Sequence, residues 1–199
     1  MHPKYISKKG LELIKKFEGL HKVKDGVVHP YVCPAGVLTQ GYGSTKGVKE
    51  GVTWTIDEAS DILKKDVNDH AEAVHAYVKV PLTQPQFDAL VSFVFNLGAG
   101  AFKSSTMLKK LNKGLMDEVP SEFMKWNKAR VNGKLTSLKG LTRRRTAEAA
   151  MFSEEAPLAG EGGEEMPQKP EARAVKPIAK SKTMAGVGIA GAATAMGEM

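Results

Sequence analysis

Three side chains near the start of the chain could take part in hydrolysis, and they belong to Glu18, Cys33 and Thr39. Cleavage of a glycosidic bond requires an acid that protonates the leaving oxygen, and a second group that activates water or stabilises the charge developing on the sugar ring. Each residue is ordinary by itself, because a helix-end glutamate is usually a surface charge and a lone cysteine is usually a small buried hydrophobe. Their interpretation therefore depends on the elements that position them.

A short amphipathic helix is predicted to carry Glu18. Leu11, Ile14 and Phe17 recur at helical spacing, Ser7 can cap the start of the helix, and a glycine follows Glu18. Glu18 then occupies the last turn, where its negative charge opposes the helix dipole. A residue that weakens its own helix invites a functional explanation.

Cys33 and Thr39 fall in a glycine-rich segment, residues 20–53, which we interpret as the only β region of the chain. Its Val, Tyr and Thr residues favour short strands, and we expect residues 27–31 to pair with residues 37–42. The remainder is predicted to be helical, since Thr55-x-x-Glu58 and Thr83-x-x-Gln86 are capping boxes. The first should open a long helix over 56–79, and further helices are expected at 105–111, 117–130 and 141–152. These elements predict an α+β fold, mainly helical, with a small three-stranded antiparallel region near the N-terminus.

Composition limits what the chain can bind. The formal net charge of +7 is uneven, because residues 1–153 carry 24 Lys+Arg and 15 Asp+Glu (+9) and residues 154–199 carry 5 and 7 (−2). The first part should be attracted to polyanions, although basic and aromatic residues do not alternate as in nucleic-acid-binding proteins. The single cysteine excludes an internal disulfide framework, and the five histidines lack the spacing of metal ligands. We therefore expect no metal, no cofactor and no nucleic-acid partner.

The chain is predicted to contain three parts, a catalytic domain at 1–153, a flexible linker at 154–182 and an apolar tail of small residues at 183–199. The linker is rich in Glu, Pro, Gly and Ala, a composition that cannot bury enough apolar surface to fold. The tail is shorter than the roughly 20 residues that a bilayer span requires. It is interpreted as a low-complexity tail, with weak membrane or virion docking as the alternative.

The segments Phe17-Glu18-Gly19 and Tyr31–Gly43 resemble the phage-type, T4-like lysozymes of glycoside hydrolase family 24. The motif of that family is a Glu, then an Asp or Cys, five residues and a Thr, ending in Thr-x-Gly-Tyr-Gly. Five residues also separate Cys33 from Thr39 here, but fourteen separate Glu18 from Cys33 where the family has eight. Later landmarks recur in the same order, including Phe95-Asn96-Leu97-Gly98, Trp126 and Gly140–Glu148.

This resemblance implies a lysozyme-like fold with a cleft between its two lobes, and a muramidase that cleaves the β-1,4 bond between N-acetylmuramic acid and N-acetylglucosamine in peptidoglycan. It assigns the catalytic roles to Glu18, Cys33 and Thr39. Asp25, inside the six extra residues, remains the alternative to Cys33. By analogy with the family, Tyr42, Gly43, Phe102 and Ser104 are candidate substrate contacts, with core packing as the alternative for Phe102.

The expected setting is host lysis by a monomeric phage endolysin that stays in the host cytoplasm until a holin opens the membrane, because no secretory signal is evident. Three alternatives remain open. The same domain could act in the virion at entry, the chain could be a non-catalytic wall-binding module, or it could be a lytic transglycosylase, which would need only Glu18.

Overall fold

The computed structural model describes residues 2–155 and shows a helical lobe joined to a small β region by one long helix. The predicted linker beyond residue 155 and the 183–199 tail lie outside the described residues. The seven helices of the described part are α1 (Lys8–Glu18), α2 (Ile56–Tyr77), α3 (Gln84–Leu97), α4 (Ala99–Ser104), α5 (Thr106–Leu111), α6 (Val119–Phe123) and α7 (Lys139–Phe152). Three-residue 3-10 turns at Met116–Glu118 and Met124–Trp126 flank α6.

The long connecting helix confirms the capping-box prediction. In α2 the Thr55 hydroxyl accepts from the backbone N–H of Glu58, and the Glu58 carboxylate accepts in return from the N–H of Thr55. The second capping box opens α3 in the same way with Thr83 and Gln86. Both helices therefore begin where their sequence motifs place them.

The core of the helical lobe is built around α3. This helix packs against α1, α2, α4 and α7, and every residue from Phe87 to Val94 is buried. Phe93 lies at its centre and meets the rings of Phe102, Phe123 and Trp126 edge to face, with centroids 5.5–6.2 Å apart. The apolar character of the α3 sequence is thus explained by burial on all sides.

The β region differs in detail from the prediction. A three-stranded antiparallel sheet is present, but its strands are β1 (Val23–Lys24), β2 (Val27–Val28) and β5 (Trp54–Thr55). A separate hairpin pairs β3 (Tyr31–Val32) with β4 (Leu38–Thr39). The predicted pairing of 27–31 with 37–42 is present only at Tyr31, which pairs with Thr39. Val27 and Val28 pair elsewhere, because Asp25 and Gly26, with φ of 53° and 77°, form a tight turn that folds β2 back onto β1.

A second β element replaces part of a predicted helix. Residues 117–130 do not form one helix, because helical structure ends at Trp126 and is followed by a hairpin of β6 (Lys128–Val131) and β7 (Lys134–Ser137). Asn132 and Gly133 at its turn have φ of 49° and 78°, the combination that a two-residue hairpin turn requires. The turn chemistry outweighed the helical pattern, and residues 20–53 are therefore not the only β region.

Candidate active site

Glu18 is the last residue of α1, as predicted. Ser7 caps the helix start by accepting from the N–H of Gly10 at 3.1 Å, and buried Leu11 and Ile14 fix the helix on the core. Gly19 ends the helix with a φ of 72°, a conformation that costs a glycine little. The side chain of Glu18 is 20% exposed, so the helix end presents it at a partly buried surface.

Arg144 of α7 holds the Glu18 carboxyl group. Its Nη1 donates to Oε1 of Glu18 at 2.6 Å, while its Nη2 donates to the carbonyl oxygen of Ser92 at 3.3 Å. Its Nε donates to Oε1 of Glu148 at 3.2 Å, and its guanidinium lies over the ring of Phe17. The Arg144 side chain is only 5% exposed. A planar group with this many contacts has little freedom, so it places the Glu18 carboxyl in one position.

Glu148 and Arg145 form a buried ionic cluster with Arg144. Glu148 is fully buried and also accepts from the Ser92 hydroxyl at 2.8 Å and from Nη2 of Arg145 at 3.0 Å. Nε of Arg145 lies 2.9 Å from Oε2 of Glu148, an ion-pair contact without hydrogen-bond geometry. Burial lowers the pKa of Arg145 to about 10, so it stays charged at neutral pH. Burial also raises the pKa of Glu148, against the opposing effect of the two guanidinium groups.

The β3–β4 hairpin brings Cys33 and Thr39 together. Tyr31 pairs with Thr39 across the strands, and Cys33 begins the connecting loop, where its N–H donates to the carbonyl of Val37 at 2.9 Å. Thr39 is buried and its hydroxyl donates to the same carbonyl at 2.9 Å. The family-like spacing of five residues therefore corresponds to one tight hairpin, with Cys33 at the start of its loop and Thr39 on its second strand.

The surroundings of Cys33 favour its thiolate. The backbone N–H groups of Val37 and Ala35 lower the pKa of the Cys33 thiol, and the Thr39 hydroxyl adds to this effect. Burial of the phenol raises the pKa of Tyr31, and the negative charge of a Cys33 thiolate adds to this effect. Because Thr39 has one hydroxyl proton, its donation to the Cys33 sulfur would compete with its bond to Val37.

His21 joins the end of α1 to the β region. Its ring Nε2 lies 3.0 Å from the carbonyl oxygen of Glu18, and its backbone N–H donates to Gly41 at 3.2 Å. The His21 ring also packs against Tyr31 of β3, with centroids 5.8 Å apart. The backbone that carries Glu18 is thus tied to the hairpin that carries Cys33 and Thr39. No sequence signal pointed to His21.

The alternative carboxylate, Asp25, is placed elsewhere. It is exposed at the tip of the β1–β2 turn, and its backbone conformation serves that turn. The extra residues between Glu18 and Cys33 therefore build a hairpin of their own. This placement favours Cys33 over Asp25 as the residue beside Thr39.

The candidate substrate contacts fall into two groups. Tyr42 is half-buried with Nζ of Lys15 5.9 Å from its ring, Gly43 is exposed, and the exposed Ser104 donates to the Gly100 carbonyl at 3.1 Å. Phe102 is fully buried against Phe93, so it packs in the core and does not reach a ligand. The prediction that Phe102 contacts substrate is therefore corrected to the alternative, a role in core packing.

Two further features are absent from residues 2–155. No group of three or more His, Cys, Asp or Glu side chains there is arranged to hold a metal ion. Among the same residues, no helix is both long enough and apolar enough to cross a bilayer.

Comparison with known proteins gives a consistent match. The phage lysozyme family model covers residues 15–148. The chain is 47% identical over 148 residues to an endolysin of Acyrthosiphon pisum secondary endosymbiont phage 1, covering 74% of this chain and 97% of that protein. It is 39% identical over 120 residues to a protein named SAR-endolysin from bacteriophage PS119, covering 60% and 70% of the two chains. Among solved structures, the muramidase domain of SpmX from Asticaccaulis excentricus is 39% identical with a TM-score of 0.69, covering 78% of this chain and all of that domain.

Proposed function

The chain belongs to the phage lysozyme family, and from that premise we propose that Glu18 is the acid catalyst of peptidoglycan hydrolysis. The protein is a lysozyme-type glycoside hydrolase, a phage endolysin that hydrolyses the β-1,4 bond between N-acetylmuramic acid and N-acetylglucosamine. The observation that supports the role of Glu18 is its carboxyl group, held by Arg144 at a helix end that is tied to the Cys33–Thr39 hairpin. An acid catalyst must transfer its proton to the glycosidic oxygen, which requires a fixed carboxyl orientation.

The bond to Arg144 leaves one carboxyl oxygen available. Oε1 of Glu18 accepts from Arg144, whereas Oε2 forms no hydrogen bond within residues 2–155. Oε2 is the atom from which a proton can be delivered to the leaving oxygen. Arg144 can then stabilise the carboxylate that remains, because its charge is fixed in place before the reaction begins.

The second catalytic group is proposed to be Cys33 acting with Thr39, as in the glycoside hydrolase family 24 motif. A lowered thiol pKa increases the fraction of Cys33 present as thiolate, and the thiolate could accept a proton from an attacking water. Thr39, at the base of the same hairpin, can hold that water or the thiolate through its hydroxyl group. The substrate proposed for this pair of residues is peptidoglycan.

Substitution of Glu18 by Gln tests the acid role. The variant keeps the size of the side chain but has no acidic proton, so the rate should fall by about 10²–10⁴-fold or more. The assay measures new reducing ends released from purified peptidoglycan, and far-UV circular dichroism checks the fold. Glu12→Gln is the matched control, because Glu12 is exposed on the same helix and pairs with Lys15 at the surface. A folded Glu18→Gln enzyme with rates near wild type would remove Glu18 from the mechanism.

The product also distinguishes the alternatives. A lytic transglycosylase would release anhydro sugars in place of reducing ends, and a non-catalytic wall-binding module would release neither. Mass spectrometry of the soluble products therefore separates these two from a hydrolase. Detection of the protein in purified particles would identify the virion-associated role.

Delivery to the wall has two candidate routes. We expected holin-dependent release from the cytoplasm, but relatives named SAR-endolysins favour export by a signal anchor and release into the periplasm. Expression of the full chain in a host without a holin decides between them. Lysis without a holin would support export, and lysis only after the membrane is permeabilised would support holin dependence.

A further inference from the structure

The β6–β7 hairpin is a ribbon with both faces in solvent. Strand pairing places Lys128, Arg130 and Leu135 on one face, and Val131 and Lys134 on the other. All of these residues are exposed. At the base of the ribbon, the N–H of Leu138 donates to the Asn127 carbonyl at 3.0 Å and the Asn127 amide donates to Thr142 of α7 at 3.3 Å.

The hairpin lies in the most basic segment of the chain. Between Glu122 and Glu148 the sequence has eight Lys and Arg residues and no acidic residue. Arg144 and Arg145 belong to the active-site network, and Lys125 pairs with Glu122. The other five cations form no ion pair within residues 2–155. They are Lys128, Arg130, Lys134, Lys139 and Arg143.

Two apolar side chains stand exposed beside the turn of this ribbon. Leu135 is 61% exposed and Val131 is 40% exposed. They lie on opposite faces, because Leu135 pairs with Arg130 and Val131 pairs with Lys134. Each face therefore combines a cation with an exposed aliphatic side chain near the tip.

We propose that the β6–β7 hairpin is a membrane-surface anchor that inserts its tip into a bilayer containing anionic phospholipid. Val131 and Leu135 enter the boundary between headgroups and acyl chains, while Lys128, Arg130 and Lys134 contact the lipid phosphates. Their long aliphatic stems let the three cations reach the phosphates from a tip that is itself in the apolar layer. The anchor is independent of the catalytic residues.

The two-faced exposure favours lipid over a polymer of the cell wall. A glycan strand or another rigid partner would cover one face of the ribbon and leave either Val131 or Leu135 in water. A fluid lipid interface surrounds an inserted tip and covers both side chains at once. The same reasoning disfavours a single carbohydrate-binding face, since neither face carries an aromatic ring.

Vesicle binding tests the proposal with the full chain. The wild-type protein should co-sediment with equimolar phosphatidylglycerol–phosphatidylcholine vesicles and much less with pure phosphatidylcholine. Val131→Ser/Leu135→Ser should lower the partition coefficient by at least about tenfold, because each apolar side chain contributes through burial. Lys128→Gln/Arg130→Gln/Lys134→Gln should lower it by about a hundredfold, and high salt should weaken binding of the wild type.

Matched controls lie on other surfaces. Val52→Ser changes an exposed valine of the β region, and Lys8→Gln/Lys49→Gln/Lys113→Gln removes three exposed cations. These variants should bind vesicles like the wild type. All variants should keep their melting temperature, because the substituted side chains are exposed.

Three results would overturn the anchor. The first is equal binding of the wild type to anionic and neutral vesicles. The second is full vesicle binding by the hairpin variants, which would place any lipid contact elsewhere in the chain. The third is that the hairpin variants lose binding to purified peptidoglycan sacculi while their vesicle binding is unchanged, which would make the hairpin a wall-polymer site.

Discussion

Replacement of Arg144 by Lys separates charge from geometry at the proposed acid catalyst. Arg144 reaches Glu18, Glu148 and the Ser92 carbonyl at the same time, at 2.6, 3.2 and 3.3 Å. A lysine ammonium is compact and cannot span these three acceptors. We expect it to stay with Glu148, which is fully buried one helical turn away, and to release the Glu18 carboxyl.

The kinetic effect follows from the loss of orientation. A displacement of about 1 Å in a catalytic group can cost about 10²-fold in rate, so kcat of Arg144→Lys should fall by about that factor. KM should change by less than about threefold, because Arg144 is largely buried and is not expected to bind the glycan. A lost hydrogen bond between charged groups costs about 2 kcal/mol, which corresponds to a fall in Tm of about 4–8 °C.

The assay is initial-rate release of reducing ends over a range of peptidoglycan concentrations, with Tm from thermal unfolding. Arg143→Lys is the control, since Arg143 is an exposed neighbour on the same helix. If Arg144 acts through Glu18, the double variant with Glu18→Gln should be no slower than Glu18→Gln alone. A kcat for Arg144→Lys within about threefold of wild type would refute the positioning role.

Three further predictions follow from single sites. Cys33→Asp should keep activity, whereas Cys33→Ala and alkylation of the wild-type thiol should each remove most of it. Asp25→Ala should lose little activity. An inactive Asp25→Ala variant together with a fully active Cys33→Ala variant would transfer the role to Asp25. Burial raises the pKa of Asp88 above its ordinary 3.8, so the folded state binds this proton more tightly and the stability from it is lost as pH rises through the folded pKa. Urea unfolding between pH 4 and 7 should therefore show a steeper decline of stability with pH in the wild type than in Asp88→Asn, and parallel curves would contradict it. Gly10→Ala would bring a Cβ within 2.6 Å of Cγ of Asp88 and should cost about 1–3 kcal/mol, whereas Gly140→Ala meets no atom within 4 Å and should be neutral or stabilising in the same denaturation assay.

The helix starts of this fold could be predicted from the sequence, but the pairing of its short strands could not. Helix starts were predictable because capping boxes act within four residues, and the boxes at Thr55 and Thr83 are present in the structure. Two-residue strands have no periodicity to detect, so their partners could not be assigned. Residues 128–130 of β6 were predicted to be helical, because the largely exposed side chains of the β6–β7 hairpin show no alternation of buried and exposed positions that would indicate a strand.

The sequence by itself determined the local features of the site. Helical spacing and the following glycine placed Glu18 at a helix end, and the five-residue spacing placed Cys33 and Thr39 in one β segment. These features depend on contacts between near neighbours in the chain, which propensity and turn chemistry control. The pairing of Arg144 or Arg145 with Glu148 was also accessible, since the residues lie three or four apart on one helix.

Only the tertiary structure decided which groups surround Glu18. Arg144 lies 126 residues further along the chain, and its bond to Glu18 exists because α1 and α7 both pack against α3. The lowered pKa of Cys33 likewise depends on backbone N–H groups that the closed hairpin aims at the sulfur. Such effects arise from distances between atoms that are remote in sequence or from the exact path of a loop, and residue type and spacing do not encode either of them.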